Sequence, residues 1–441
     1  MSAPMNASRS ALRLGLCGVA LAALAACGPS PMDPKRQIGA NPDLPAIHQY
    51  LMPPMHVAKV VPWGGATPTV PAGLQVKALA SGLKNPRSLY VLPNGDILVV
   101  ESGGPPAPVN RPKEVVMNWI EKMAHSRTKP GNRILLFRDA DGDGAPELRS
   151  VFLDHLNSPF GVVLVGNDLY VANTDGVMRY PYVAGQTRIT APGVRLCDLP
   201  GGPIDHHWTK SLTASPDGSK LYAGVGSNSN ITENGIGAEL GRASIWEIDR
   251  ATGAHREYAT GLRNPNGLQF EPQTHVLWTV VNERDELGPD LVPDYMTSVK
   301  DGAFYGWPYS YYGQHLDPRV QPQRPDLVAR AIPPDYALSS HVAPLGMVFY
   351  TGQNLPQQYR GGAFVGEHGS WDRSVMNGYK VVYVPFANGR PSGMAQDVVT
   401  GFLVDGDKAR GRPVGLAMDS HGGLLIADDT GNTVWRVTAA P

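Results

Sequence analysis

The sequence predicts an all-β fold, a six-bladed β-propeller with long inter-strand insertions. Three observations carry that expectation: a strand-bearing phrase that returns six times, a turn-rich composition, and a spacing that leaves room for four strands per return. Gly 50 and Pro 41 in a chain of 441 residues suit many short strands joined by turns. The average period of roughly 65 residues exceeds the usual length of such repeats, so loops must be inserted between strands. Each unit of about four strands is one propeller blade.

Taken in order, the chain begins with an export signal. Arg9 and Arg13 form a charged start, Leu14 to Ala26 an apolar run, and Leu24-Ala25-Ala26-Cys27 ends it on small residues. The run is too short to span a bilayer. Leu-Ala-Ala-Cys resembles the bacterial lipobox, which implies residues 1–27 as a lipoprotein signal and Cys27 as the lipid-bearing residue. The expected location is periplasmic, anchored to the cell envelope at the outer membrane by lipid alone; simple cleavage near Ala26 is the other reading. Residues 28–72 are rich in proline with little periodicity and read as a tether and lead-in. Residues 73–441 are the expected propeller. Cys17 and Cys27 belong to the signal, which leaves Cys197 as a buried thiol with no disulfide partner.

The six returns then follow. The first is Asn85-Pro86-Arg87-Ser88-Leu89, the turn Pro93-Asn94-Gly95-Asp96, and Ile97 to Glu101. The second is Ser158-Pro159-Phe160-Gly161-Val162 with Asp168 to Asn173. The third is Asp205-His206-His207-Trp208-Thr209-Lys210-Ser211-Leu212, the turn Ser215-Pro216-Asp217-Gly218, and Leu221 to Val225. The fourth is Arg263-Asn264-Pro265-Asn266-Gly267-Leu268 with Val276 to Asn282, and the fifth Ala343-Pro344-Leu345-Gly346-Met347 with Gly362 to Glu367. The sixth is Arg412-Pro413-Val414-Gly415-Leu416 with Leu424 to Asp428. Proline presets φ and glycine accepts positive φ in the turns. Two stretches read as insertions, Gly103 to Pro130 with a short helix at Glu114 to Ala124, and Glu283 to Pro334.

The innermost strand of a blade lines the central channel, and the loop entering it faces one end. Arg87, His207, Arg263 with Asn264, and Arg410 with Arg412 lie just ahead of these strands. Blades that needed only to fold would put small or apolar residues there. Converging arginines with one histidine suit an anionic planar ligand, since guanidinium groups pair with carboxylates and stack on flat rings. Histidine exchanges a proton near neutrality. The formal net charge of −1 without a basic block argues against nucleic-acid binding. Asp139-Ala140-Asp141-Gly142-Asp143-Gly144 begins like a Ca²⁺ loop, but Ser150 stands where glutamate belongs, and a tight turn is the favoured reading. Trp307, Tyr309, Tyr311 and Tyr312 suit either sugar stacking or packing of the insertion.

The run Gly261-Leu262-Arg263-Asn264-Pro265-Asn266-Gly267-Leu268, followed by Gly288-Pro289 and Tyr305-Gly306-Trp307-Pro308, resembles the soluble quinoprotein glucose dehydrogenases. Asn282-Glu283-Arg284-Asp285 and Glu367-His368-Gly369-Ser370-Trp371-Asp372-Arg373 resemble the sorbosone and pyranose dehydrogenase branch. The similarity runs from about Ala80 to Val437. It implies a six-bladed propeller binding pyrroloquinoline quinone and Ca²⁺, and oxidation of a sugar or sugar aldehyde by hydride transfer to the quinone, with a downstream electron acceptor left unnamed. His207, with Leu212 and Pro216-Asp217-Gly218, matches the general base. Arg263 matches the residue that polarises the quinone carbonyl, and Asn264 holds the same edge. Arg410 and Arg412 match arginines on the cofactor's carboxylates, while Arg87, His368 and Arg373 fit the pyranose branch. Gly288 and Pro289 match carbonyls that hold the catalytic Ca²⁺, and Asp294 lies near a family carboxylate. Two other readings of a six-bladed propeller stand beside this one. A metal-dependent lactonase would use Glu101, Asn173, Asn282 and Asp428, and an envelope binding propeller would do no chemistry.

Overall fold

Short runs rich in Val, Ile, Leu and Tyr, punctuated by glycine and Pro-Asp-Gly turns, fold into antiparallel sheets packed face to face. The computed structural model describes residues 31–49, 56–106, 108 and 130–441. The signal segment with Cys27 and the expected helix at Glu114 to Ala124 lie outside the described residues, as does most of the Gly103 to Pro130 insertion.

Six sheets of four principal strands follow one another along the chain. The first holds Pro86–Val91, Ile97–Glu101, Arg133–Arg138 and Leu148–Leu153. The second holds Val162–Val165, Asp168–Asn173, Gly176–Pro181 and Val194–Asp198, and the third Leu212–Ala214, Lys220–Val225, Ser244–Asp249 and His255–Thr260. The fourth comprises Pro265–Phe270, Leu277–Val281, Pro293–Ser298 and Tyr336–Ser340. The fifth comprises Pro344–Phe349, Ala363–Glu367, Lys380–Val384 and Gln396–Val399. In the sixth, Pro413–Met418, Leu424–Asp428 and Thr433–Ala439 are joined by Leu74–Ala80 from the N-terminal side, which pairs with Thr433–Ala439. One sheet is thus stitched from both ends of the described chain.

The core lies between consecutive sheets. Val100 and Phe152 of the first sheet meet Val162 and Val171 of the second, and each later sheet meets the next in the same way. The sixth returns to the first through Ala417, Leu425 and Val434 against Leu89, Val99 and Leu135. The first strands also pack on one another, and small residues permit the approach. A Cβ on Gly267 would lie 2.6 Å from Met347 N, and one on Gly415 would lie 2.8 Å from Arg87 O. Phe160, just ahead of Val162–Val165, forms one apolar cluster with Leu345 of the fifth sheet and Val414 of the sixth, and Trp208 packs against it.

Two features differ from the sequence reading, and a third agrees with it. Pro293–Ser298 is the third strand of the fourth sheet, so the Glu283 to Pro334 insertion is shorter than expected. That strand is buried on both faces, which removes the polar alternation that would have revealed it. The lead-in is more than a tether from Pro34 onward. Buried Gln37 donates to Asp290 O at 2.5 Å and accepts from Ser340 Oγ at 2.6 Å, and Lys59–Val60 pairs with Lys408–Ala409. The Asp139 to Gly144 run is the expected turn, whose acids cap their own backbone, with Gly142 N and Gly144 N both donating to Asp139.

Candidate active site

The loop entering each first strand and the residues closing each second strand lie at the same end of an antiparallel sheet. This end collects the charged groups. Arg263 and Asn264 directly precede Pro265–Phe270, and Arg412 directly precedes Pro413–Met418. Arg87 differs, because it lies inside Pro86–Val91, at the position that Asn266, Leu345 and Val414 occupy in their strands. The three cationic positions are therefore not equivalent along their strands.

His207 is half-buried, and its Nδ1 lies 2.8 Å from Ser227 Oγ and 3.2 Å from Ser227 O. Ser227 Oγ donates its proton to Ser229 O at 2.6 Å, so it can only accept from the imidazole. Nδ1 therefore carries the hydrogen, and Nε2 keeps its lone pair. Burial, with the charges of Arg263 and His206, holds the His207 pKa well below the ordinary imidazole value. The ring is neutral at neutral pH and able to take a proton. Below it, fully buried Asp205 braces the loop by pairing with Lys210 at 3.3 Å and Arg242 at 2.5 Å.

Arg263 is 1% exposed and has every N–H engaged. Nη1 donates to the carbonyls of Asn282 and Glu283, Nη2 to Asn230 Oδ1 and Asp285 Oδ2, each of the last two at 3.0 Å, and Nε to Asn230 O. Asn264 accepts from Asn266 Nδ2 at 3.2 Å. Arg373 is likewise committed to the protein, with Nη2 on Asp290 Oδ1 at 2.5 Å.

A second group centres on Asp429. Its Oδ2 accepts from Arg87 Nη1 at 2.5 Å and lies 2.9 Å from His368 Nε2. Burial would raise this carboxyl, but His368, Arg87 and Arg412 hold it far below the usual range. Burial and the Arg412 charge push His368 down to about 4. Arg412 donates to the carbonyls of His368 and Gly369 and lies 5.1 Å over the Tyr379 ring, while Arg87 lies 5.7 Å from the Trp208 ring. Buried Arg87 Nε and Ser102 Oγ have no hydrogen-bond partner among the described residues. Arg410 sits apart on the strand edge, its backbone N–H on Phe402 O and its charge acting on Asp405.

Two of the expected Ca²⁺ ligands already have partners within the protein. Gly288 O accepts from His341 Nε2 at 3.1 Å and from Leu291 N at 3.3 Å. Asp294 accepts from the backbone N–H of Glu283 and of Ala343, and burial raises it to about 7. Pro289 follows Gly288 in the same turn. Two members of the lactonase set have partners in the protein: Glu101 holds Arg133 and Lys84 N, while Asp428 accepts from the indoles of Trp63 and Trp435. Tyr311 and Tyr312 pack in the core beside Tyr295 and Tyr305, and Trp307 donates to Asn230 O. Cys197 is buried, its thiol pushed up to about 11 by burial.

Sequence reasoning missed Ser227, Asp285, His341, Asp372 and Asp429. A usable signal exists: polar pairs close the second strands, as in Asn282-Glu283, Glu367-His368 and Asp428-Asp429, and the second member of the last pair, Asp429, is the one that gathers the cations.

Residues 170–369 match the family model described as Glucose / Sorbosone dehydrogenase, and residues 322–440 the one described as TrAA12-like. Aldose sugar dehydrogenase YliI of Escherichia coli is 29% identical over 136 residues, which is 30% of this chain and 35% of that protein. The holo PQQ domain of pyranose dehydrogenase from Coprinopsis cinerea superposes with a TM-score of 0.68 at 21% identity, over 84% of this chain and 97% of that one. A calcium structure of a family AA12 carbohydrate-active enzyme from Trichoderma reesei gives 0.67 at 20%, over 88% and 99%. At these identities the two structures speak to the fold. The resemblance read in the sequence is thereby shown: residues 170–369 of this chain match the family model of the glucose and sorbosone dehydrogenases.

Proposed function

We propose that the six sheets are the blades of a closed six-bladed propeller, and that the protein is a quinoprotein dehydrogenase of sugars or sugar aldehydes. The observation that carries this reading is His207, a neutral imidazole with a fixed tautomer and a free Nε2, set in a mouth rich in arginine. The family match and the holo pyranose dehydrogenase neighbour support it. Export and a lipid anchor at Cys27 remain part of the proposal.

The residues fit an anionic, planar cofactor. Arg87 and Arg412 offer guanidinium N–H groups beyond those the protein uses, the buried Arg87 Nε lacks a partner, and Trp208 and Tyr379 present flat rings. Pyrroloquinoline quinone, when bound, supplies the two-electron acceptor for a hydride. His207 Nε2 takes the substrate hydroxyl proton as hydride leaves carbon. Ser227 keeps the ring in the one tautomer that can do so. Arg263 acts from a fixed position, as a preorganised positive charge whose own hydrogen bonds stay within the protein. Calcium belongs to the resemblance, and because Gly288 O and Asp294 are already engaged, no step here uses it.

The test is reconstitution. Purified protein is titrated with pyrroloquinoline quinone, followed by absorbance, and then assayed by dye reduction with aldoses, pyranoses and sorbosone-type aldehydes. Saturable binding with turnover of any of these supports the reading. Binding without turnover would leave a ligand-binding propeller and remove the dehydrogenase. Failure to bind would remove the quinoprotein assignment itself.

A further inference from the structure

Beside Arg263 lies a group that the proposed reaction does not use. His341 Nδ1 stands 3.4 Å from Asp285 Oδ1 and 3.2 Å from Asp372 Oδ1. The three ligand atoms lie within 4.8 Å of one another. His341 and Asp372 are 4% and 2% exposed, so neither charge is relieved by open solvent.

The imidazole is oriented. Its Nε2 lies 3.1 Å from Gly288 O, and a carbonyl can only accept, so Nε2 carries hydrogen. In a neutral ring Nδ1 then turns a lone pair toward two carboxylates, which is repulsive unless a cation lies between them. A histidine whose far N–H is held by a backbone carbonyl is the usual posture of a metal ligand. Asp372 Oδ1 is buried with no hydrogen-bond partner among the described residues, although Nδ1 is close. The spacing also fits. Two ligands about 2.1 Å from one ion, at an angle of roughly 100°, stand about 3.2 Å apart.

We propose that Asp285, His341 and Asp372 form a divalent metal site of one nitrogen and two oxygens, selective for a borderline first-row ion of the Zn²⁺ class. One imidazole with two carboxylates suits Zn²⁺ or Co²⁺, whereas Ca²⁺ takes oxygen ligands alone. Asp285 contributes Oδ1, since its Oδ2 is held by Arg263 at 3.0 Å. The ion and Arg263 thus share one carboxylate, and two aspartates offset the added charge. A proton on Nδ1 is the competing occupant: both carboxylates raise His341, to about 9, against the effect of burial. Asp372 is raised by burial, which a bound cation would reverse.

The experiment needs no quinone, so its failure and that of the dehydrogenase reading are separable. Chelator-stripped protein is titrated calorimetrically with Zn²⁺ and with Ca²⁺, and bound metal is counted by elemental analysis. One Zn²⁺ per chain is expected, undisturbed by excess Ca²⁺. Asp372→Asn and His341→Gln should each weaken binding by at least about 10-fold, the lower end of what disturbing a metal site costs. Wild-type protein loaded with Cu²⁺ should show one imidazole nitrogen by pulsed electron paramagnetic resonance, a readout independent of how well the variants fold. Absence of stoichiometric Zn²⁺, binding confined to Ca²⁺, unchanged affinity in folded variants, or no imidazole nitrogen would each overturn the site and leave a protonated His341 between two carboxylates.

Discussion

At the scale of single residues, what matters at His207 is which nitrogen is free. Ser227 settles it by spending its own proton on Ser229. His207→Ala should lower sugar-dependent dye reduction by about 10²–10⁴-fold, the range for loss of a general base, with quinone binding nearly intact. Retention of full turnover would remove His207 from the mechanism. The pH profile carries the sign. A base works when deprotonated, and His207 titrates well below the ordinary imidazole value, so the acid limb of kcat/KM should fall below pH ~6.5. A limb at or above that value would contradict the burial seen here. Arg263 makes a different prediction. Its five donors hold Asn230, Asn282, Glu283 and Asp285 together, so Arg263→Met should cost about 3–5 kcal/mol of stability, as when one partner of a buried ion pair is removed. Urea denaturation reads this directly. Unchanged stability with weakened quinone binding would mean that Arg263 serves the ligand instead.

At the scale of the strand, the repeat is built on close approach. Gly267 combines φ +59 with a position where a Cβ would lie 2.6 Å from Met347 N in the next sheet. Gly267→Ala therefore meets both a backbone penalty and a clash, and should lower stability by about 1–3 kcal/mol. An unchanged urea midpoint would show that the fourth and fifth sheets are less tightly joined than this contact requires. The same packing explains what the sequence disclosed. Pro-x-Gly at Pro159, Pro344 and Pro413 was legible because turn and close-approach chemistry leaves few residue choices. Pro293–Ser298 was hidden because burial on both faces erases alternation. The side chains of the mouth were half legible. Arginines before strands stood out, but Asp429, Ser227 and His341 did not, because a residue type says nothing of the partner that folding brings from a distant sheet. Arg373 shows the converse: conspicuous as sequence, it is fully buried and paired with Asp290.

At the scale of the whole molecule, packing sheet against sheet buries strand ends, and with them carboxyl groups that ordinarily face water. Burial raises Glu367 to about 8, and Glu283, Asp294 and Asp428 each to about 7. A carboxyl raised in the folded state binds more protons there than in the unfolded chain, so its contribution to stability declines as pH rises between the two pKa values. His207 and His368 oppose this at acid pH, being lowered on folding, but above about pH 6.5 they are neutral in both states. From roughly pH 6.5 to 8 the buried carboxyls, joined by His341 raised to about 9, therefore set the slope, and stability should fall, by up to about 1.4 kcal/mol per pH unit for each group still protonated in the fold and already deprotonated in the unfolded chain. Glu367 is the clearest contributor, since its Oε2 is buried with no hydrogen-bond partner among the described residues. Glu367→Gln keeps the shape and removes the titration, so its urea midpoint should depend less on pH across that window than the wild type's, whatever the offset between the two curves. Parallel curves would mean that Glu367 is ionised in the folded protein, held so by Lys380 through the attraction that opposes its burial.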